Sequence, residues 1–433
     1  MLLRKYGTNM TFMQNDKYKA NRVCVIGGGA AGMMAAGTAY LYGAEVTIFE
    51  SMKFLGKKLA ITGKGRCNVT NNSSPSEFLE NVTKNHRFLY AALNSFTPED
   101  TMRLFENLGV PLKTERGKRV YPESDKARDI VDAMHKYAKN SRIIYEKVRS
   151  VKKIADEFIV TTMGGEYKFD NVILATGGKS YPLTGSDGSG YKIAMKLGHT
   201  VTELTPSLIP IESPSALCPE MQGLSLRNVG IQIKDSSGKA VYTDFGEMMF
   251  THFGVTGPMI LSASAHLRNC DITALTLCID LKPALDEKTL DARLLYDFTR
   301  KNNKDFINSL GELLPTKMIE PFVRIVGIDE RKKVNSITKE ERKRILKTLK
   351  SFEIPLSCFR PIEEAIVTSG GIEVREISPK TMESKITSGL FFAGEVIDID
   401  AYTGGYNLQI AFSTGYMAGK NAAENIRTGE NYD

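Results

Sequence analysis

The sequence predicts an α/β fold in which a dinucleotide-binding unit is interrupted by a β-rich, barrel-like domain and a small helical domain. Three observations carry that reading. Residues 22–50 run strand, glycine loop, helix, strand and acid; the pattern changes to alternating β after residue 200 and to helical spacing after residue 283; and the α/β pattern resumes after Ser378. The corresponding boundaries are a loose tail over 1–20, a nucleotide-binding domain over 21–199 with 376–433, a β-rich substrate domain over 200–282 with 352–375, and a helical insertion over 283–351.

The first element is the apolar run Arg22-Val-Cys-Val-Ile26, the composition of a buried parallel strand. It leads into Gly27-Gly-Gly29-Ala-Ala-Gly32, then a helix rich in small residues from Met33 to Tyr42, closed by Gly43, then the strand Glu45-Val-Thr-Ile-Phe49 ending on Glu50. The spacing matches a Rossmann βαβ unit. Gly27 permits the tight turn, Gly29 lets the backbone approach a pyrophosphate, and Gly32 lets helix and strand pack closely. Ala30 and Ala31 sit at the helix N-terminus, whose free N–H groups and positive dipole end favour phosphate. Glu50 can accept from ribose hydroxyls, with Ser51 beside it.

Further along, Val229, Ile231 and Ile233 alternate with polar residues, and Asp235-Ser-Ser-Gly238 is a turn before Val241. Leu275, Leu277, Ile279 and Leu281 alternate again. Leu290, Leu294, Leu295 and Phe298 have helical spacing, and Thr338 with Glu341 makes a capping box ahead of Ile345, Leu346 and Leu349.

With 433 residues the chain is long enough for two or three domains. Its 42% hydrophobic and 25% charged residues are ordinary globular values, and the net charge of +7 is spread as a Lys-rich surface, so no nucleic-acid partner is expected. None of the six cysteines stands in a C-x-x-C, which argues against a zinc ribbon or redox dithiol and fits free thiols in a reducing cytoplasm. No metal site is expected. The first 20 residues lack an apolar signal-peptide core, and no stretch has the 18 apolar residues of a membrane span.

Three later segments separate FAD from NAD. Asn171-Val-Ile-Leu-Ala-Thr-Gly-Gly178 is a strand ending in Ala-Thr-Gly-Gly, with Thr176 and Gly177 at its tip. Gly389-Leu-Phe-Phe-Ala-Gly-Glu395 ends another strand, and Thr403-Gly-Gly-Tyr-Asn-Leu-Gln409 opens a helix. These resemble the FAD proteins of the two-dinucleotide-binding-fold class. With Ile61-Thr-Gly-Lys-Gly-Arg-Cys-Asn-Val-Thr70, Arg119-Val-Tyr-Pro122 and Thr251-His-Phe-Gly-Val-Thr-Gly-Pro258, nearly the whole chain resembles a bacterial family of three-domain FAD flavoproteins that includes aminoacetone oxidases and 3-dehydro-bile-acid delta(4,6)-reductases.

The resemblance implies a non-covalent FAD along Gly63, Arg66, Cys67 and Asn68, with Arg66 at a phosphate or the ribityl chain. It places the backbone of Val148, on a strand from Ile143 to Val151, at the adenine. Gly394 and Glu395 come to the ribitol and Asp400 close to the flavin, while the N–H groups of Gly405, Tyr406, Asn407 and Leu408 meet its pyrimidine edge. Cys67 reads as a packing residue, for want of a partner thiol. His252, in a Gly-rich turn, and Tyr402 are the acid/base candidates, each with an equally available structural role.

No second G-x-G-x-x-G follows a strand, so a dedicated NAD(P)H domain is not expected. Three functions remain open: an NAD(P)H-driven reductase of an activated C=C in a hydrophobic substrate, an O₂-using oxidase of a small amine such as aminoacetone, and an FAD-binding sensor without turnover. The apolar residues Leu208, Ile209, Leu224, Met248, Met249, Phe250 and Phe253 can serve as a hydrophobic substrate wall, which favours the reductase, or as ordinary core. Oligomeric state has no signature in the sequence.

Overall fold

A computed structural model describes residues 20–425; the tail expected over 1–20 lies, except for Ala20, outside them. The chain divides into two compact units, one formed by the residues up to Thr205 and from Ile362 onward, the other by Pro206–Pro361. Segments 200–205 and 362–375, expected with the β-rich domain, thus group with the nucleotide-binding part.

Unit 1 is built on the expected βαβ run: β1 (Arg22–Ile26), α1 (Ala30–Leu41) and β2 (Glu45–Phe49). α1 starts three residues earlier than its apolar run suggests, directly after Gly29. Strands β3 (Arg142–Ile144) and β4 (Asn171–Leu174), helix α2 (Ser189–Lys196) and, much later, β5 (Leu390–Phe392) and α3 (Tyr406–Glu424) complete its frame. The sheet order is β5-β4-β1-β2-β3, all parallel. β1, β4 and β5 read as nearly unbroken apolar runs because helices cover both faces of a parallel sheet. A strand from the far end of the sequence therefore extends the sheet begun at residue 22.

Helices α1 and α3 pack with their backbones almost touching. A Cβ on Gly415 would stand 2.5 Å from the Ala31 carbonyl oxygen, and one on Gly419 would press on the carbonyl of Ala35. These two pairings advance together, so the helices run parallel. Their register places the start of α3 eight residues ahead of the start of α1, about 12 Å along the shared direction at 1.5 Å per residue. Two helix N-termini thus open toward the same side of unit 1, staggered along it.

The strand expected over Ile143–Val151 is two separate pieces, β3 and Ser150–Ile154, the latter in a three-stranded antiparallel sheet. Residues 145–149 leave both ladders. Val148 is buried between exposed Lys147 and Arg149, an alternation that mimics a strand.

Unit 2 holds a six-stranded antiparallel sheet whose long hairpin, Ser225–Lys234 with Ala240–Phe250, turns at Asp235–Gly238 as expected. The Asp235 carboxylate accepts from the amides of Ser237 and Lys239, and Gly238 takes φ +83°. A helix over Pro258–His266, unread in the sequence because its apolar residues lack a clean period, follows the hairpin. The helices Glu287–Arg300, Thr316–Val326 and Lys339–Lys350 share one apolar core with this sheet. Both hydrogen bonds of the Thr338–Glu341 capping box are present. Of the residues read as a substrate wall, Leu208, Ile209, Met248 and Phe250 are fully enclosed and Leu224, Met249 and Phe253 half-buried. Met248 and Phe250 are core, as alternation on a one-face-covered sheet dictates, and Leu208 and Ile209 are enclosed side by side in the segment between two short strands.

The helix–helix contact makes a direct prediction. Gly419→Ala forces a methyl against a backbone carbonyl that cannot move aside, and should cost ~1–3 kcal/mol, read as a lower thermal midpoint. Gly311→Ala, where a Cβ meets nothing within 4 Å, should leave the midpoint unchanged.

Candidate functional site

The fingerprint loop has the geometry its glycines require. Gly27 takes φ +104°, a conformation that side chains resist, and a Cβ there would stand 2.5 Å from the Ala175 carbonyl oxygen. A Cβ on Gly32 would overlap the carbonyl of Gly27, so only glycine lets helix and loop close to this distance. At Gly29, by contrast, a Cβ meets nothing within 4 Å, and no side chain caps the N–H groups that open α1. Ala30 and Ala31 follow with no bulk to obstruct them.

Glu50 is buried at the end of β2 and aims back at this loop. Its Oε2 accepts from the Gly28 amide at 2.8 Å, and its Oε1 from the Met52 amide at 2.7 Å and the Ser51 hydroxyl at 3.3 Å. The carboxylate anticipated as a ribose acceptor therefore also braces the loop, with lone pairs left over.

Around the second helix N-terminus the chain is held from several directions. Gly405 takes φ +96° with its α-carbon packed on the Thr70 backbone. Asn407 folds back onto the preceding turn, its Oδ1 accepting from the Ala401 amide at 3.0 Å and its Nδ2 donating to the Ala401 carbonyl at 2.7 Å. Tyr406 packs edge-on to Phe78, and burial raises its pKa. No side chain caps α3, so the amides of Tyr406, Asn407 and Leu408 keep their outward donors. Asp400, fully buried, accepts from the Thr83 hydroxyl at 2.9 Å and the Ser369 hydroxyl at 3.1 Å. Tyr402 is half-buried, its amide donating to the Asn81 carbonyl.

Glu395 follows Gly394, whose φ of +76° turns the chain out of β5. Its Oε2 meets the Lys58 ammonium at 2.8 Å; its Oε1 accepts from the Ser180 hydroxyl at 3.0 Å and the Thr368 amide at 2.9 Å. Lys58 and Thr368 had no sequence signal, because their partner stands far away in the chain and neither belongs to a motif.

One expectation changes, that for Val148. The Arg66 guanidinium lies over the Tyr121 ring and pairs with Glu115 at 2.6 Å and Asp125 at 2.5 Å. Two acids and a ring, all distant in sequence, compete for it. Val148 lies on a loop rather than a strand, although its buried position leaves its backbone fixed. Cys67 is enclosed at φ +59°, and burial pushes its thiol up to about 12, the state of a packing residue.

His252 belongs to unit 2, in the turn between Ala240–Phe250 and Gly254–Thr256, exposed and edge-on to Phe253 at 5.0 Å. Tyr402 belongs to unit 1. Among the described residues no cluster of His, Cys, Asp and Glu is arranged to hold a metal ion, and no helix is long and apolar enough to cross a membrane.

FAD fits unit 1 on three counts. The open space at Gly29 beside uncapped amides suits a pyrophosphate. The second N-terminus about 12 Å further on suits the far end of an extended dinucleotide. Among the described residues, Asn68 Oδ1 and Thr176 Oγ1 are two of seven buried polar atoms without a hydrogen-bond partner, and both are open to a ligand.

Residues 21–421 match the family described as HI0933-like protein Rossmann domain. The 3-dehydro-bile acid delta(4,6)-reductase of Clostridium scindens is 29% identical over 412 residues, 93% of this chain and 99% of that one. The ribosomal RNA dihydrouridine synthase of Escherichia coli is 29% identical over 399 residues, 90% of this chain and 95% of that one. Among solved structures, 3-ketosteroid-delta4-(5alpha)-dehydrogenase of Rhodococcus jostii RHA1 shares the fold with TM-score 0.52 at 16% identity, covering 96% of this chain and 99% of that one.

Gly29→Val should abolish most flavin absorbance in the purified protein while barely moving the thermal midpoint of the FAD-free chain, since its side chain enters space that no protein atom occupies. For Cys67, a thiol near 12 leaves roughly one thiolate in ten thousand at pH 8. Iodoacetamide followed by peptide mass spectrometry should find it unmodified until the protein is denatured.

Proposed function

The chain belongs to the HI0933-like protein Rossmann-domain family, and from that premise we propose that it is an FAD-dependent oxidoreductase. In this reading it takes electrons from NADH or NADPH and reduces a C=C bond conjugated to a carbonyl, in a hydrophobic, steroid- or bile-acid-like substrate. The observation that carries the cofactor part is the staggered pair of helix N-termini on α1 and α3. The reaction is supported by what the named relatives share. A 3-dehydro-4,6-diene and a uracil ring both present a C=C polarised by a neighbouring carbonyl, and the names of both kinds of relative describe its reduction.

FAD, when bound, supplies the two-electron hydride chemistry. The overall balance is one hydride from the nicotinamide and one proton, which become two new C–H bonds on the substrate. The chain's own residues have three tasks. The loop at Gly27–Gly32, Glu50, Asn68 and Thr176 hold the dinucleotide. The amides of Tyr406, Asn407 and Leu408, at the positive end of a 19-residue helix, favour negative charge at their end of the site. A proton donor must quench the enolate formed when hydride reaches the β-carbon, a role worth typically 10²–10⁴ in rate. His252 and Tyr402 are the proposed donors.

A second substrate reading, a uracil ring within RNA, is supported by the ribosomal RNA dihydrouridine synthases among the relatives, 29% identical over 90% of this chain.

Anaerobic stopped-flow tests the reading. NADH or NADPH should bleach the flavin band, and a dienone or uracil acceptor should restore it faster than O₂ does. His252→Ala should slow that restoration ~100-fold or more and leave reduction by the nicotinamide intact. Bleaching by aminoacetone alone, with peroxide released, replaces the reductase with the oxidase; an unchanged restoration rate removes His252 from the chemistry.

A further inference from the structure

We propose that Ser384, His199 and Glu376 form an acid-sensitive clasp on the outer edge of the unit 1 sheet. None of the three is among the residues assigned to the cofactor, and the clasp is independent of the reaction proposed above. β5 is the outermost strand, and residues 382–384 cover its free side. The Phe392 amide donates to the Met382 carbonyl at 3.0 Å, and the Ser384 amide to the Leu390 carbonyl at 2.7 Å. Uncovered, such an edge would offer its backbone to another chain. The covering segment is held by His199, just beyond the C-terminal end of α2, whose ring stands edge-on to Phe392 at 4.8 Å.

Counting lone pairs fixes the protons. The Ser384 hydroxyl oxygen accepts from the Ile386 amide at 3.0 Å and the Thr387 amide at 2.7 Å, which occupies both of its lone pairs. Its own proton must therefore go to His199 Nε2, 2.8 Å away. With Nε2 an acceptor, Nδ1 carries the ring proton and donates to the Glu376 carboxylate at 3.1 Å. Only the neutral imidazole fits. A second ring proton, on Nε2, would point at an oxygen with no lone pair left, and the Ser384 proton would lose its acceptor. The order serine, histidine, acid is that of a hydrolytic triad, but Ser384 and His199 are 6% and 4% exposed, so no substrate reaches the serine.

Other charges do not rescue the imidazolium. Glu376 is the carboxylate at the ring, and its Oε2 is shared with the Thr200 amide at 2.9 Å. Elsewhere on the elements packed here, Lys196, Arg375, Lys380 and Lys385 are exposed, and β5 carries no charge. Glu373 and Glu383 accept from the Arg375 and Gly389 amides. Burial outweighs Glu376 and holds the His199 pKa below its ordinary value. The clasp is thus fully made above about pH 6.5, the value of a freed histidine. It is lost as pH falls toward the lower value of the enclosed ring.

The test is hydrogen–deuterium exchange of the FAD-loaded protein at pH 7.5, 6.5 and 5.5, corrected for the intrinsic pH dependence of amide exchange. Peptides spanning 377–392 should open more at pH 5.5 than at 7.5, several-fold and at most ~10-fold, the ceiling for one proton and a freed value near 6.5. Peptides over the strand Thr276–Asp280 of unit 2 should show no such rise. His199→Gln has nothing to titrate and should give one opening constant at all three pH values, whatever its size. Histidine NMR of the wild type, which needs no variant, should find His199 as the Nδ1–H tautomer at pH 7.5. Equal protection of 377–392 at pH 7.5 and 5.5 in the wild type overturns the clasp, as does an Nε2–H tautomer. So does a pH response retained by His199→Gln, or an equal rise over Thr276–Asp280.

Discussion

The contact on which unit 1 depends is the near-touching of two helix backbones, α1 and α3, at Gly415 and Gly419. Side chains at those two positions would push the axes apart and free the register between them. With glycine there, the helices lock in parallel at a fixed stagger, and each one's uncapped N–H groups face the same side. A dinucleotide is long and carries negative charge near its middle. Two positive helix ends on one rigid support match that distribution without a single lysine or arginine. Arg66, expected at a phosphate or the ribityl chain, is paired here with Glu115 and Asp125, and Glu50 and Glu395 brace the loops beside the two helix ends.

How much of this was legible depended on whether the information was local. The Gly27–Glu50 unit was readable because each glycine answers a constraint set within a few residues, and the hairpin turn and capping box were readable for the same reason. Val148 misled because a buried residue between two charged ones looks like a strand whether or not a ladder forms. The pairings of Glu395 were invisible: Lys58, Ser180 and Thr368 lie 337, 215 and 27 residues away. The apolar residues of unit 2 misled in another way. Hydropathy reports that Met248 and Phe250 avoid water; whether a ligand or a neighbouring strand removes them from it is a question of tertiary packing.

Charge shows the same division. The Arg342-Lys343-Arg344 run, conspicuous in the sequence, is a helix surface on which Arg342 pairs with Asp291 and Lys343 with Glu340. Lys147, Arg149, Lys192 and Lys196, unremarked in the sequence, line one groove beside Val148. Clustering in space and clustering along the chain are independent, and only the former sets the local field.

The place of α3 in the chain has a consequence for how the protein is made. β5 and α3 carry one of the two helix ends and the outer strand of the sheet, yet the ribosome delivers them after all of unit 2. The early strands β1 and β2 emerge with the Ala31–Ala35 face of α1 uncovered, and Asn171 and Asn21 lack the carbonyls of Ala422 and Ala423 to which they finally bond. Unit 2, contiguous in sequence, can complete its core during that interval, since domains fold as units while synthesis proceeds. On the FAD placement proposed above, cofactor loading waits for α3, so a chain stopped before it contains the entire fingerprint without the second helix end.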